Sequence, residues 1–391
     1  MKRKGVAVLG ATGSVGRNAL DVIARFPRRF RATALCAGSN GRALASLARI
    51  FRPDVVCLWE GDEKALRKEL PRGTRLLFGE QGMSEAVCAG NADIVLAAAS
   101  GISSIRPVIA AAKGGKRIAL ANKELLVTAG KFLTAAARRG GAEILPVDSE
   151  HSAVFQAIGG SRRDDILRVI LTASGGPFRN HTLSQMRSAT VPEALGHPTW
   201  RMGAKITVDC ATMMNKGLEV IDATWLFGLP AGRIDVLIHP QSVIHSMVEF
   251  RDGSVLAQMG VPDMRIPIGY ALAYPERLPM ELPRLRPHRM ETWGFEAPDR
   301  KRFPALSLAY AAAETGGTAP AVLNGANEEA VRAFLSRRIG FTDIVRIVDR
   351  VLSGWSESFT ARSLPDVLAA DTLSRRDARE RISSVRRTFP S

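Results

Sequence analysis

Residues 5–26 read GVAVLGATGSVGRNALDVIARF, and this stretch decides the fold class. The apolar run 5–10 has the length of a buried strand, whereas the apolar residues after position 17 recur at helical spacing. Between the two lie Gly10, Gly13 and Gly16. A strand, a glycine-rich turn and a helix in a crossover unit are typical of a domain that binds a dinucleotide, whose pyrophosphate lies on the helix N-terminus.

The type of dinucleotide is indicated by the end of the second predicted strand. Residues 37–42 read AGSNGR, with no acidic side chain for the ribose hydroxyls and with Arg42 close by, which favours NADP over NAD. The spacing GxxGxxG differs from the commoner GxGxxG. An ordinary glycine-rich loop on the same scaffold therefore remains an alternative.

The same alternation of strand and helix continues along the N-terminal third of the chain. It predicts a parallel sheet covered by helices, so the fold class is α/β with an N-terminal Rossmann-like domain. From about residue 149 the pattern becomes α+β, and prolines then crowd residues 275–304. The predicted domains are 1–148 (Rossmann-like, NADPH-binding), 149–274 (α+β, catalytic and connective), 275–304 (linker) and 305–391 (small and helical, with helices at 306–314, 328–338 and 342–352).

Length and composition exclude several classes of protein. A chain of 391 residues with 46% hydrophobic and 24% charged residues is too long for one core and too apolar for global disorder. No stretch approaches about 18 uninterrupted apolar residues, so no membrane span is predicted. The basic start lacks the long apolar region of a signal peptide, and the four cysteines lack CxxC spacing. We expect a cytoplasmic protein with reduced thiols.

The net charge is unusually positive. Lys and Arg number 54 against 38 Asp and Glu, which gives +16. Such a charge suits an anionic partner, which could be a phosphorylated metabolite, a nucleic acid or an acidic membrane surface; we expect no membrane partner. The basic residues are spread through every segment, so a solvated arginine-rich surface explains them without any polyanion. We expect no nucleic-acid partner; the opposite hypothesis predicts tight, strongly salt-dependent binding.

Three acidic residues are candidate metal ligands. Asp148 and Glu150 follow the predicted strand 144–147, and in extended backbone positions two apart point to the same side. Glu219 shares one helical face with Asn215 and Lys216 if residues 213–220 are helical. Carboxylate oxygens suit Mg²⁺ or Mn²⁺ better than zinc. For Asp148, capping of a helix at 151–158 is an equal alternative.

A second group of residues suits a bound phosphate. Ser174 precedes Gly175-Gly176-Pro177, a backbone able to wrap an anion, and Lys216 supplies a positive charge. His197 opens HPTWRMG (197–203), and we interpret residues 196–204 as a lid over a site. Taken singly, each of His197, His239 and His245 is better interpreted as a structural histidine than as a catalyst.

Eight motifs of the chain are long or unusual: GATGSVG (10–16), ANKE (121–124), VDSEH (147–151), SGGPF (174–178), HPTWRMG (197–203), ATMMNKGLE (211–219), HPQSVIHSMVEF (239–250) and LNGANEEAV (323–331). Together they resemble the 1-deoxy-D-xylulose 5-phosphate reductoisomerase family, in family order across nearly the whole chain. That resemblance implies an oxidoreductase and isomerase that uses NADPH and Mg²⁺ or Mn²⁺. It would convert 1-deoxy-D-xylulose 5-phosphate into 2-C-methyl-D-erythritol 4-phosphate, by rearrangement and then hydride reduction, in the non-mevalonate isoprenoid pathway. The resemblance also implies a homodimer.

The resemblance also implies roles for individual residues. The cofactor would contact Thr12, Gly13, Ser14, Val15, Gly38, Ser39, Asn40, Asn122, Glu124 and Gly203. The substrate would contact Lys123, Ser149, Glu150, Ser174, His197, Cys210, Asn215, Lys216 and Glu219. The metal ligands would be Asp148, Glu150 and Glu219, and the catalytic residues Lys123, Glu150, His197 and Glu219.

Two positions depart from the family pattern. Ser39 stands where the family commonly has Lys, which removes one charge from the 2′-phosphate end of the cofactor; Arg42 is a possible substitute. Cys210 stands where the family has a phosphate-binding Ser, and a thiol is the weaker hydrogen-bond donor. The alternative function is an NADP-dependent reductase with the same scaffold that acts on a different phosphorylated hydroxyketone.

Overall fold

A computed structural model describes residues 3–89, 91–200, 202–289, 292–356 and 358–385. The chain divides into two compact units. The first unit comprises the described residues up to Leu126, Gly130–Ser152 and Asp263–Leu282, and the second unit comprises Val127–Ala129, Ala153–Pro262 and the described residues from Pro283 onward. Among the described residues, no helix combines the length and the hydropathy needed to cross a membrane.

The first unit is built on a parallel sheet, which confirms the predicted Rossmann-like fold. Its strand order is β4-β3-β2-β1-β5-β6-β7, and every neighbouring pair is parallel. The order reverses beside β1, so the switch point where such sheets bind ligands lies at the carboxyl end of β1. The strands are β1 Lys4–Leu9, β2 Phe30–Ala37, β3 Val55–Leu58, β4 Arg75–Phe78, β5 Ile94–Ala97, β6 Arg117–Leu120 and β7 Ile144–Pro146.

The second unit contains a mixed sheet of order β11-β10-β8-β9, in which only the β8–β9 pair is parallel. Its strands are β8 Ile166–Ala173, β9 Ile234–Ile238, β10 Ile244–Phe250 and β11 Val255–Met259. The α-helices of the described residues are α1 Ser14–Arg25, α2 Gly41–Phe51, α3 Glu63–Glu69, α4 Gly79–Cys88, α5 Ile105–Lys113, α6 Glu124–Gly140, α7 Ser149–Ile158, α8 Leu183–Arg187, α9 Val191–Ala194, α10 Ala204–Thr212, α11 Met214–Phe227, α12 Arg265–Ala273, α13 Ala305–Thr315, α14 Ala319–Leu335, α15 Phe341–Ser353 and α16 Leu364–Ser384.

The turn between β1 and α1 requires its glycines. Gly10 has φ +80°, and a Cβ there would lie 2.4 Å from the carbonyl oxygen of Ala98. A Cβ on Gly16 would lie 2.2 Å from the carbonyl oxygen of Gly10. Side chains at Gly10 and Gly16 would push the turn away from the end of β5 and α1 away from the turn. Because both residues are glycine, no side chain at these positions covers the backbone of the turn, which remains accessible to a ligand.

The compact units differ from the predicted domains at α12, which the sequence analysis places in residues 149–274. In the structure α12 belongs to the first unit. The Arg265 guanidinium contacts the Asp21 carboxylate of α1 at 3.3 Å, and the Arg117 guanidinium of β6 donates to the carbonyl of Tyr274 at 2.8 Å. Within 275–304, the described residues form a short 3₁₀ turn at Pro287–Arg289 and an isolated bridge between Ile238 and Glu296.

The C-terminal helices share one hydrophobic core with the second sheet. Leu171 of β8, Leu218 of α11, Val322 of α14 and Ile347 of α15 are all buried in that cluster. The cluster therefore runs across the predicted boundary at residue 305, and separate folding of 305–391 stays a prediction.

The helix expected at 328–338 is wrong in both bounds. The observed α14 begins at Ala319, with Pro320 in its first turn. Proline is tolerated there because the N–H groups of the first turn have no acceptor within the helix. The helix ends at Leu335, because Arg337 adopts φ +57°, outside the helical region.

Candidate active site

The glycine turn places the N-terminus of α1 at the carboxyl end of β1. Gly13 is the N-cap of α1 and, like Ser14, is exposed, while Thr12 and Val15 are half-buried. The first N–H groups of a helix have no intrahelical partner and carry its positive dipole end. These four predicted cofactor residues therefore surround a place suited to a pyrophosphate.

The loop after β2 is open to solvent. Gly38, Ser39 and Asn40 are all exposed, and Asn40 caps α2, its Oδ1 accepting from the N–H of Ala43 at 3.0 Å. This capping role escaped the sequence analysis, although an Asn directly before a helical pattern is its usual signal. Arg42 is exposed in the first turn of α2.

Asn122 offers a buried acceptor at the carboxyl end of β6. Its Nδ2 donates to the carbonyl of Gly101 at 2.7 Å and also to that of Ala99. Its Oδ1 is buried, with no hydrogen-bond partner among the described residues. An unpaired buried carbonyl is unfavourable, so this oxygen suits a ligand N–H or O–H. Glu124, half-buried, opens α6 two residues later.

Asp148, Ser149 and Glu150 stand where β7 gives way to α7. The expectation of extended backbone here is wrong, because α7 begins at Ser149 and Glu150 lies in its first turn. A strand end followed at once by a helix leaves no room for a two-residue extended segment. Asp148 directly precedes the helix, and its carbonyl accepts from Ser152 N–H at 2.8 Å. Ser149 Oγ donates to Glu150 Oε2 at 2.5 Å.

The Asp148 carboxylate pairs with Lys123. The distance from Lys123 Nζ to Asp148 Oδ2 is 2.5 Å, and the two side chains are only 5% and 13% exposed. Burial alone would raise the pKa of Asp148, but the charges of Lys123 and His151 and the hydrogen bonds from Lys123 and Glu150 outweigh it. The pKa of Asp148 therefore lies well below its ordinary value, and the carboxylate is ionised at neutral pH.

In the second unit, Ser174 and His197 form a hydrogen-bonded pair, with Ser174 Oγ 3.0 Å from His197 Nε2. His197 Nδ1 accepts from the N–H groups of Thr199 (3.2 Å) and Trp200 (2.9 Å), so Nε2 carries the proton and donates to Ser174. Because Ser174 Oγ also accepts from Gly176 N–H at 3.2 Å, its own O–H proton is left for a further acceptor. Burial lowers the pKa of His197, which favours the neutral ring.

The backbone after Ser174 closes tightly on α10. Gly175 and Gly176 have φ +83° and +69°. A Cβ on Gly176 would lie 2.6 Å from the carbonyl oxygen of Cys210. The glycines therefore let the turn approach α10, and Cys210, which is half-buried and in no disulfide, lies beside the turn.

Helix α11 brings Asn215, Lys216 and Glu219 onto one face, as predicted. Asn215 Nδ2 donates to Glu219 Oε1 at 2.6 Å, and Lys216 Nζ pairs with Glu219 Oε2. All three side chains are buried; Glu219 is 1% exposed. Met213, with φ +65°, interrupts the helical backbone between α10 and α11, and α11 begins at the next residue.

The predicted lid, residues 196–204, runs from α9 to the start of α10, and its Arg201 lies outside the described residues. Gly203, exposed, is the N-cap of α10. The covering role of this segment stays a prediction.

Two further histidines have structural environments. His239 Nδ1 lies 2.9 Å from the Gly294 carbonyl, and its ring stacks on Phe295 at 4.7 Å between centroids. Burial lowers the pKa of His245 to about 4, so this ring is neutral at physiological pH. Both side chains fit the structural alternative that the sequence left open.

Models of protein families match most of the chain. The model described as 1-deoxy-D-xylulose 5-phosphate reductoisomerase matches residues 6–130. The model of that enzyme's C-terminal domain matches residues 144–227, and a further one, DXP reductoisomerase C-terminal domain, matches residues 259–377.

Relatives and solved structures agree with these matches. Curated 1-deoxy-D-xylulose 5-phosphate reductoisomerases of Anaeromyxobacter dehalogenans and Heliobacterium modesticaldum are each 50% identical to the chain, with 98% of both chains covered. The Zymomonas mobilis enzyme in complex with NADPH is 44% identical, with a TM-score of 0.91 and 98% and 100% coverage. A DOX-P reductoisomerase in complex with NADPH, fosmidomycin and magnesium is 41% identical, with a TM-score of 0.93 and 97% and 98% coverage. The chain belongs to the 1-deoxy-D-xylulose 5-phosphate reductoisomerase family.

Proposed function

We propose that the chain carries out the reaction of its family, from 1-deoxy-D-xylulose 5-phosphate to 2-C-methyl-D-erythritol 4-phosphate, with NADPH and Mg²⁺ or Mn²⁺. The observation that carries this proposal is the 50% identity to curated reductoisomerases over 385 residues. A reductase of another phosphorylated hydroxyketone is less well supported, because HPTWRMG and NKGLE are intact beside the phosphate-binding candidates.

NADPH is the proposed hydride donor. Thr12, Gly13, Ser14 and Val15 would hold its pyrophosphate at the start of α1; Gly38, Ser39 and Asn40 would contact its 2′-phosphate end. Asn122, Glu124 and Gly203 would complete the cofactor site. The unpaired Asn122 Oδ1 supports this assignment, since a buried acceptor needs a donor from a ligand. The Zymomonas mobilis structure in complex with NADPH adds to it.

Asp148, Glu150 and Glu219 are the proposed metal ligands. Their hard carboxylate oxygens fit magnesium or manganese, and a related structure contains magnesium. The ion would supply Lewis-acid polarisation of the substrate oxygens. Asp148 is ionised at neutral pH, as a ligand must be.

Lys123 and Glu150 are the proposed groups that hold and move substrate hydroxyl protons. Lys123 is buried beside Asp148, with its Nζ 2.5 Å from Asp148 Oδ2. Glu150 accepts from Ser149 Oγ, which orients its carboxylate from the first turn of α7. Ser149 is itself a proposed substrate contact. A positioned acid and base of this kind typically contribute about 10²–10⁴ in rate.

The substrate phosphate is the proposed ligand of the second unit. Ser174, Cys210, Asn215 and Lys216 would bind it, with His197 fixing the direction of the Ser174 hydroxyl. Ser174 is supported in this role by its free O–H proton, because a phosphate oxygen accepts such protons. Binding energy from the phosphate would order the segment 196–204 and exclude water.

A homodimer is the proposed assembly, as family resemblance implies, and light scattering would test it. The cytoplasm is the proposed location, in keeping with four cysteines that form no disulfide, which suits a reducing compartment. A small phosphorylated molecule, rather than a nucleic acid, is the proposed partner.

The assay that tests the function follows NADPH oxidation at 340 nm with 1-deoxy-D-xylulose 5-phosphate, with and without Mg²⁺ or Mn²⁺, and with NADH in place of NADPH. We expect metal-dependent oxidation and 2-C-methyl-D-erythritol 4-phosphate as the product by NMR. Folded protein that binds NADPH but does not turn over this substrate would favour another phosphorylated hydroxyketone.

A further inference from the structure

Asp209 is a buried carboxylate on α10 for which the sequence motifs supplied no role. It is 1% exposed. Its Oδ2 lies 2.9 Å from Lys205 Nζ, one helical turn earlier, and its Oδ1 accepts from Asn327 Nδ2 at 2.8 Å. A buried carboxylate is tolerated only when it is paired and hydrogen-bonded. Asp209 meets that requirement with two partners, one on its own helix and one on α14.

Asn327 joins α14 to α10 across a fully buried contact. The two residues are 118 positions apart, and Asn327 is 0% exposed. It belongs to the motif LNGANEEAV, to which the sequence analysis assigned no chemistry. Hydrogen bonds to charged groups are among the stronger ones in proteins, so this contact holds α10 in one orientation against α14.

The orientation of α10 determines the geometry of the phosphate-binding candidates. Cys210 follows Asp209 directly, and its carbonyl oxygen leaves no room for a side chain at Gly176. Gly176 N–H in turn donates to Ser174 Oγ. Because these contacts are close, a displacement of α10 displaces the turn and the Ser174 hydroxyl with it.

We propose that Asp209 and Asn327 are positioning residues for the phosphate end of the substrate, which act through α10 on Cys210 and Ser174. This inference rests on the proposed function. Neither side chain contacts the substrate in this proposal. Lys205 follows the predicted lid 196–204 directly, so the same carboxylate also anchors the end of that segment.

The test compares Asn327→Leu with Asn324→Leu. Asn324 is the matched control because it lies on the same helix, is also 0% exposed, and donates to Glu328 Oε1 of the same helix at 3.2 Å. We expect Asn327→Leu to raise the KM for 1-deoxy-D-xylulose 5-phosphate about tenfold, with kcat within about twofold and the Kd for NADPH unchanged. Asn324→Leu should leave all three constants near their wild-type values.

The results that would overturn the positioning role differ from those that would overturn the proposed function. An equal KM in both variants, or a fall in kcat without a change in KM, would overturn the positioning role, because a purely structural defect lowers only the active fraction. If Asn327→Leu does not fold, Asp209→Asn keeps the shape and removes the charge; we then expect a several-fold higher KM, and a wild-type KM would overturn the inference. Absence of wild-type turnover would overturn the proposed function and this inference together.

Discussion

Each unit contains a buried lysine–carboxylate pair, and the two pairs are built differently. In the first unit Lys123 meets Asp148 at the junction of a strand and a helix, where Asp148 is 13% exposed. In the second unit Lys216 meets Glu219 within one turn of α11, where Glu219 is 1% exposed. The first pair joins residues far apart in sequence, whereas the second is local. The same combination of a buried lysine and a buried carboxylate is thus formed at the end of a strand in one unit and on one face of a helix in the other.

This difference explains which parts of the site the sequence could predict. Helical spacing alone places Asn215, Lys216 and Glu219 on one face, and the structure confirms it. For Asp148 and Glu150 the sequence predicted the position at the end of β7. It did not predict the helical backbone of Glu150, because β7 has only three residues and α7 begins at Ser149. Pairing of Lys123 with Asp148 depends on the neighbouring strands β6 and β7, which no local pattern encodes.

The largest predicted effect would come from the helix-face pair. Glu219→Gln should lower metal-dependent turnover about 10³-fold, since a metal supplies several kcal/mol of transition-state stabilisation. NADPH binding, followed by fluorescence, should survive. Glu314→Gln, on an exposed position of α13, is the control. Unchanged turnover would remove Glu219 from the proposed ligands.

The second prediction concerns His245 of the second unit and its effect on how the free energy of unfolding depends on pH. The pKa of His245 is about 4 because the ring is buried, whereas an unfolded histidine titrates near 6.5. As the pH falls from about 6.5 to 4, the unfolded state binds the proton first, so the stability of the native state falls. The loss attributable to His245 should be about 3 kcal/mol.

Urea unfolding of wild type and His245→Gln at pH 7 and pH 4 measures this contribution. The difference in unfolding free energy between the two proteins should narrow at pH 4. His288→Gln, at an exposed position, should show no such change. A difference that does not depend on pH would mean that the pKa of His245 is the same in the native and unfolded states, which contradicts the prediction.

The third prediction concerns the cofactor end of the first unit. Ser39→Lys restores a charge on the exposed loop after β2, and a charge-assisted hydrogen bond to a phosphate should lower the Kd for NADPH about tenfold. The Kd for NADH, which lacks the 2′-phosphate, should not change. Ser46→Lys, exposed further along α2, controls for added charge. Equal gains for both cofactors would argue against 2′-phosphate binding at Ser39.

The smallest effect is predicted at Cys210. Replacement of a thiol by a hydroxyl supplies a stronger donor, so Cys210→Ser should lower the KM for the phosphorylated substrate about fivefold with kcat preserved. Steady-state kinetics with NADPH held at saturation measures it. A KM that stays the same or rises would show that this position does not bind the phosphate.

The rest of the structure escaped prediction for physical reasons. Helix α12 joins the first unit through the Arg265–Asp21 contact, which links residues 244 positions apart. The core of the second unit includes Val322 of α14 and Ile347 of α15 in one buried cluster with residues of the mixed sheet. Such long-range packing is not encoded in the local composition from which the domain boundaries were predicted.

The central proposal is that Asp148, Glu150 and Glu219 bind one metal ion. Titration of Mn²⁺ followed by electron paramagnetic resonance, on wild type, Asp148→Asn and Glu219→Gln, tests it directly. One tight ion per wild-type chain, weakened strongly in both variants, is the predicted result. Tight binding that survives in either variant would contradict the proposal and remove the substituted residue from the proposed ligands.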